Sequence, residues 1–492
     1  MATFTHRTSL SNFIMIIFNP VSLLLVATFF SLSGCSKPKE SQEEKFNVLF
    51  IMSDDLNDNL GCYGHPLVKT PHLDKLASDG LLLNHAYCQL PLCGPSRVSM
   101  LTGLYPDITN VFINETNFRD YIPNTVTLPQ LFMNNGYFVA RAGKLFHYGV
   151  PGDIGTDGLD DTVSWNLRIN PKGRDKTDEG KVINLTPGKN LGLSLSFLQA
   201  DGTDEEQTDG MIATEVIKLM AEKKDEPFFI AAGFFRPHCP YIAPKKYFDM
   251  YDTAAINIPD IKNDRDDIPE PALSTVPIAN YGLPVHELKR AVQAYYASIS
   301  FVDAQVGRLI QALDSLGLWE KTIIVFMSDH GYHLGEHGLW HKFTLFEEAN
   351  KVPMIVSTPA MKKRGIRSNR LVEMIDVYPT LAELCGLQAA DSLHGKSFVP
   401  LLDDPDQPWK QTAYMVVARP KGRPDRSLPN GNMGLMGRSV RTEKWRYTEW
   451  WEGEKGIELY DHVNDPHELT NLAREKEYQD TVRVLKELLH KK

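Results

Sequence analysis

The sequence predicts an α/β protein in which a mostly parallel sheet is sandwiched by helices and a smaller C-terminal subdomain is built on antiparallel sheet. Three observations predict it. Through residues 46–400, short β-rich apolar runs alternate with segments of helical apolar spacing, the pattern of strands buried on both faces. Beyond residue 400 the texture changes: Pro, Asp and Gly become frequent, and closely spaced strand patterns follow. The 42% hydrophobic content is that of an ordinary globular protein, and the length suffices for one large domain with a smaller partner.

Taken in order, residues 1–34 read as an address rather than as fold. His6 and Arg7 precede an apolar run, residues 13–30, that closes in Leu32-Ser33-Gly34-Cys35. This ending resembles a bacterial lipobox, where a diacylglycerol is attached to the cysteine and everything before it is removed. A membrane-spanning anchor is the other reading of so long an apolar stretch, but Pro20 and the small residues before Cys35 favour a processed signal. Residues 35–45 are charged and almost free of apolar side chains, and read as a tether. The mature chain is therefore expected as an exported lipoprotein, periplasmic or at the outer membrane or cell surface, held to a membrane by the lipid on Cys35.

Residues 46–52, 228–233, 322–327 and 353–357 read as strands. Helical patterns cover residues 71–78, 127–134, 209–222, 285–316 and 374–385. The long helix from residue 285 places Tyr295, Tyr296, Ile299, Val302, Val306 and Ile310 at helical spacing, a packing face against the sheet to which no chemistry is assigned. In the C-terminal part, residues 401–492, the segments 439–451 and 457–461 read as antiparallel strands around Glu452-Gly453-Glu454-Lys455-Gly456. Residues 477–489 read as a closing amphipathic helix.

Lys plus Arg number 52 against 62 Asp plus Glu, a net charge of −10, which argues against nucleic acid as a partner. Of six cysteines, Cys62, Cys88, Cys93, Cys239 and Cys385 remain after lipidation, too few and too scattered for a disulfide scaffold. Their spacing matches no usual pair of zinc ligands.

The most informative stretch is Leu92-Cys93-Gly94-Pro95-Ser96-Arg97-Val98-Ser99-Met100-Leu101-Thr102-Gly103. Pro95 suits the first helical position and Gly103 a C-terminal stop, so Cys93 is expected just before a helix start. Free amide donors and the helix dipole favour negative charge there, and Arg97, about one turn in, adds a full positive charge. Asp54 and Asp55 directly follow the first strand, and Asp329 with His330 follows the 322–327 strand. In open α/β sheets the working groups gather beyond the carboxyl ends of the strands, so both pairs should face one crevice with Cys93. Three carboxylates so close repel one another unless a cation lies between them, and a hard divalent ion fits, calcium before magnesium.

The pattern Cys93-x-Pro95-Ser96-Arg97 followed by Leu101-Thr102-Gly103 resembles the signature of the formylglycine-dependent sulfatases. Asn47 to Asp55, Gly143-Lys144-Leu145-Phe146-His147, Arg236-Pro237-His238, Ser328-Asp329-His330-Gly331 and the run from Gly335 to Lys342 resemble further blocks of that family. Within it, the likeness is to the iduronate-2-sulfatase group and its bacterial relatives. The resemblance implies an alkaline-phosphatase-like fold and conversion of Cys93 to formylglycine by a formylglycine-generating enzyme. It also implies Ca²⁺ on Asp54, Asp55, Asp329, His330 and the modified Cys93, and a sulfated oligo- or polysaccharide as substrate. By similarity, Arg97 and Lys144 balance the sulfate oxygens, His238 and Lys342 are the acids on the leaving-group side, and His147 is the base that expels sulfate. His330 stands where many sulfatases carry Asn, and His333, His337 and His341 are left outside the site. Phosphonate and phosphodiester hydrolases of the same superfold share the cysteine motif and the metal carboxylates, so that reading stays open. A glycan-binding protein with a decayed site is disfavoured, because every expected catalytic position holds a competent residue. The basic loop 418–426, with Arg419, Lys421, Arg423 and Arg426, is either a solvated loop or a recognition element for carboxylate or sulfate.

Overall fold

In the first strand, β1 (Asn47–Asp54), every side chain is buried, as a strand at the centre of a sheet covered on both faces requires. A computed structural model describes residues 45–420 and 433–491; the export segment, Cys35, the tether, and Lys421, Arg423 and Arg426 lie outside the described residues. The remaining strands of the central sheet are β2 (Leu81–Tyr87), β3 (Phe138–Gly143), β4 (Leu167–Ile169), β5 (Phe228–Pro237), β6 (Thr322–Ser328), β7 (Lys351–Ser357) and β8 (Ile366–Glu373). Their order is β8-β2-β7-β6-β1-β5-β3-β4, and only β7 runs against the others.

Alternate residues of β1 enter two different cores. Leu49 and Ile51 join the face covered by α1 (Pro71–Asp79), by a helix over Thr208–Glu222 and by the long helix Val285–Ser315. Val48, Phe50 and Met52 join the face covered by helices Cys93–Thr102, Leu128–Asn134 and Val377–Leu384. In chain order these helices are α2 (Cys93–Thr102), α3 (Leu128–Asn134), α4 (Thr208–Glu222), α5 (Val285–Ser315) and α6 (Val377–Leu384). Thr127 caps α3 with a reciprocal bond to Gln130, a local reason for its sharp start.

A second sheet holds β9 (Ala413–Pro420), β10 (Met433–Arg441), β11 (Trp445–Trp450) and β12 (Ile457–Asp461), all antiparallel and in that order. Helix α7 (Gln479–His490) packs Val482, Leu485 and Leu489 against Val440, Tyr447 and Leu459 on one face. On the other face Met415, Val417, Trp450 and Tyr460 meet Leu339, Leu345, Phe346 and Leu371 from the larger part.

Three features depart from the sequence reading. The segment 439–451 is not one strand: the Thr442 hydroxyl accepts from the Trp445 amide at 2.9 Å and turns the chain into a hairpin. Helix α2 starts at Cys93 itself, not beyond it; Pro95 then stands third, still within the first turn, where its missing N–H costs nothing. Strands β2, β3, β4 and β8 were not evident, because Asn84 and His85, Arg141, Arg168, and Arg367, Asn369 and Arg370 break their apolar runs; β9 was missed as well, and its end, residues 418–420, was read as part of a basic loop.

The two sheets are joined by buried ion pairs. Arg446 on β11 bonds Glu468 at 2.5 Å and also Glu347, which in turn accepts from Arg441 at 3.2 Å and from the Tyr87 hydroxyl at 2.8 Å. Arg446→Met would remove the guanidinium shared by two buried carboxylates, leaving Glu347 to Arg441 and Tyr87 and Glu468 to His462 and the Glu347 amide, and a loss of about 2–3 kcal/mol in urea unfolding is expected. A loss under about 1 kcal/mol would mean that water serves these groups in its place.

Candidate active site

Four neighbouring parallel strands deliver the site from their carboxyl ends. Ser53 on β1 pairs in register with Ser328 on β6, so Asp54 and Asp55 lie beside Asp329 and His330. Lys144 and His147 follow β3, and His238 follows β5. The first residue of α2, Cys93, points its thiol into the same place: Sγ lies 3.4 Å from His330 Nε2, 3.4 Å from Lys342 Nζ and 3.8 Å from Asp55 Oδ1. Ligand atoms of Asp54, Asp55, Cys93 and His238 fall within 4.8 Å of one another, as do those of Asp55, Cys93, Asp329 and His330.

Arg97 is fully buried and holds this constellation together. Its Nε donates to Asp329 at 2.9 Å, one Nη to Asp54 at 3.1 Å, and the other to the carbonyls of Lys144 and Leu145 at 2.7 and 3.1 Å. With most of its donors taken by the protein, the guanidinium acts first on the carboxylates. Lys144 donates to the other oxygen of Asp54 at 2.6 Å, and Lys342 to Asp55 at 2.5 Å. His238 Nε2 stands 3.8 Å from Asp55. Among the predicted residues only His147 makes no polar contact with the others; its Nδ1 is buried without a partner.

Tyr295 carries more than the packing role read from its spacing. Its hydroxyl donates to the Asp55 carbonyl at 2.7 Å and accepts from the Asn57 amide at 2.9 Å, pinning Asp55 in a left-handed conformation, φ 65°. The signal was available: a phenol inside an apolar face needs a polar partner.

The donor set fits a divalent cation. Asp54, Asp55, Asp329 and His330 are wholly buried, and Asp55 Oδ2 has no hydrogen-bond partner. His330 Nδ1 faces the Gly331 carbonyl at 2.9 Å, which turns Nε2 toward the cluster.

The model of the sulfatase family matches residues 46–387. The chain belongs to the sulfatase family. A second model, described as N-sulphoglucosamine sulphohydrolase, C-terminal, matches residues 335–492. Human iduronate 2-sulfatase is 33% identical over 85% of this chain and 87% of its own. A sulfatase of Formosa agariphila is 32% identical over 92% of this chain and 88% of its own. Among solved structures, the phosphonate monoester hydrolase of Agrobacterium radiobacter superposes with a TM-score of 0.74 at 24% identity, covering 91% of this chain and 95% of that one; it shares the fold.

As a member of this family the protein is a sulfuric ester hydrolase, and burial sets the charges its site brings to that reaction. Burial, then the Lys144 charge, pushes His147 down to about 3, so its imidazole is an unprotonated base at neutral pH. Burial, then Lys342, likewise holds His238 well below its ordinary value. Against a burial penalty, Asp55, Cys93 and Asp54 raise Lys342, which keeps its proton. Burial lifts Asp55 to about 8, against the Lys342 charge, which lowers it.

Proposed function

We propose that this sulfatase hydrolyses sulfate esters of a sulfated, uronic-acid-containing glycan, through a formylglycine made from Cys93 and with calcium as its ion. The observation that carries the reading is the Cys93 thiol at a helix start, 3.4 Å from both His330 and Lys342 and ringed by aspartates. The human relative named iduronate 2-sulfatase supports the class of substrate.

Asp54, Asp55, Asp329 and His330 would hold the ion. When bound, it would supply Lewis-acid stabilisation of charge on the sulfate group. Cys93, oxidised by a formylglycine-generating enzyme, hydrates to a geminal diol. One hydroxyl oxygen attacks sulfur and gives its proton to Asp55, and the bond from sulfur to the sugar oxygen breaks. Lys342 protonates that departing oxygen, with His238 beside it. His147 then removes the proton of the second hydroxyl; the carbonyl re-forms, the carbon–oxygen bond to the sulfo group breaks, and sulfate leaves. Lys144 and the amide donors of α2 face the developing negative charge.

Arg419 supports recognition of a carboxylate. Its guanidinium packs on Phe343, the residue after Lys342, and on Trp450, with both terminal nitrogens buried and without partners. Arg419→Ala should raise KM on a uronate-containing oligosaccharide roughly 10- to 100-fold, the worth of a charge-assisted pair. KM on a small aryl sulfate should hold; an equal rise on both would remove Arg419 from recognition.

The test of the whole reading is desulfation of defined heparan, chondroitin and algal oligosaccharides beside matched phosphate and phosphonate esters, with released anion and product linkage measured. Preference for the phosphorus esters would replace this reading with a phosphonate or phosphodiester hydrolase. Export as a lipoprotein belongs to the same proposal: a Cys35→Ala protein should leave the membrane fraction, and one that stays there is not held by that lipid.

A further inference from the structure

Outside the Cys93 cluster, one imidazole nitrogen of His337 and one carboxylate oxygen each of Glu348 and Glu468 lie within 4.8 Å of one another. The His337 ring stacks on Phe346 with centroids 4.1 Å apart, and its Nδ1 faces the two oxygens of Asp264 at 3.1 and 3.2 Å. A carboxylate on Nδ1 fixes the ring so that Nε2 points its lone pair at the cluster, the usual posture of a metal-binding histidine. His337 is 1% exposed, yet its Nε2 has no hydrogen-bond partner, and neither has the buried Oε2 of Glu348.

A cavity of about 530 Å³ is lined by His337 and Glu348, together with Asp264, and gives solvent and ions a way in. The neighbouring trio Glu347, His462 and Glu468 is equally close, but there Arg441 and Arg446 hold Glu347 and the His462 Nε2 already bonds Glu468 at 2.8 Å, so its imidazole has no nitrogen left facing the carboxylates. Glu468 spends one oxygen on Arg446 and His462 and the other on the Glu347 amide at 2.7 Å, and each carboxylate oxygen has a second lone pair.

We propose that His337, Glu348 and Glu468 form a second divalent-metal site, suited to zinc, with cavity water completing its coordination. One imidazole with two carboxylates favours a borderline ion over calcium or magnesium. The ion would tie the 336–338 turn and the Glu347–Asn350 helix to the turn after β12, and so fasten the C-terminal sheet to the larger one.

The test uses the full-length protein, stripped with a chelator, loaded with Zn²⁺ alone and analysed for bound metal. An equivalent of zinc should survive gel filtration in the parent and in an Asp54→Asn/Asp329→Asn protein, and be lost in His337→Gln and in Glu348→Gln. Zn²⁺ should raise Tm by a few degrees in the parent and not in either of those two variants. Cobalt substitution should give visible absorption bands that vanish with His337→Gln. Glu348→Gln keeps the side-chain volume and serves if His337→Gln misfolds. Zinc that stays in both variants, zinc lost only with the aspartate pair, or no retained zinc would each overturn the proposal.

Discussion

Cys93→Ser, made in a host without the converting enzyme, should cleave one sulfate ester per molecule and then stop. The hydroxyl would sit where Sγ does, close to Lys342 and Asp55, and could attack sulfur as the hydrate does. The resulting sulfate ester has no second hydroxyl for His147 to deprotonate, so it has no intramolecular way out. Intact mass should show one sulfo group held at position 93, and the steady-state rate should fall at least ~10³-fold against the converted enzyme. Continuous turnover by the serine variant would remove the diol from the mechanism. Unconverted parent protein from the same host should release almost no sulfate.

Lys342→Ala should separate substrates by their leaving groups. Of the two candidate acids, burial and the Lys342 charge keep His238 unprotonated, while Asp55 and Cys93 keep the proton on Lys342. A sugar alkoxide needs that proton as it departs; a nitrophenolate does not. The expected loss in kcat is ~10²–10⁴-fold on a sugar sulfate and under about 10-fold on nitrophenyl sulfate. The aryl substrate also reports whether the variant still folds around Asp55. Equal losses on both would make Lys342 a support for Asp55 and nothing more, and the acid would then be His238.

Much of the site was legible because its chemistry is carried by short runs at the ends of strands. Asp54-Asp55 and Asp329-His330 each follow an unbroken apolar strand, and parallel pairing of β1 with β6 was enough to bring them together. Other parts were hidden by burial. Arg97 reads in sequence as a charge for the substrate, yet in the fold its donors are taken by Asp54, Asp329 and two carbonyls. Tyr295 reads as core, yet its hydroxyl fixes the backbone of Asp55 across a separation of 240 residues. His337 reads as one of several histidines in a loop, and only the fold brings Glu348 and, from the turn after β12, Glu468 to its side.

The sequence by itself determined the fold class, strands β1, β5, β6 and β7, the motif at the head of α2 and the carboxylates beyond β1 and β6, since each of these is set by local spacing and residue type. The tertiary structure alone decided which cations pair with those carboxylates. Sheet order, the reversal of β7, and the partners of Arg97 and Lys342 depend on contacts between distant segments, and the cost of burying an unpaired charge makes the choice of those partners specific.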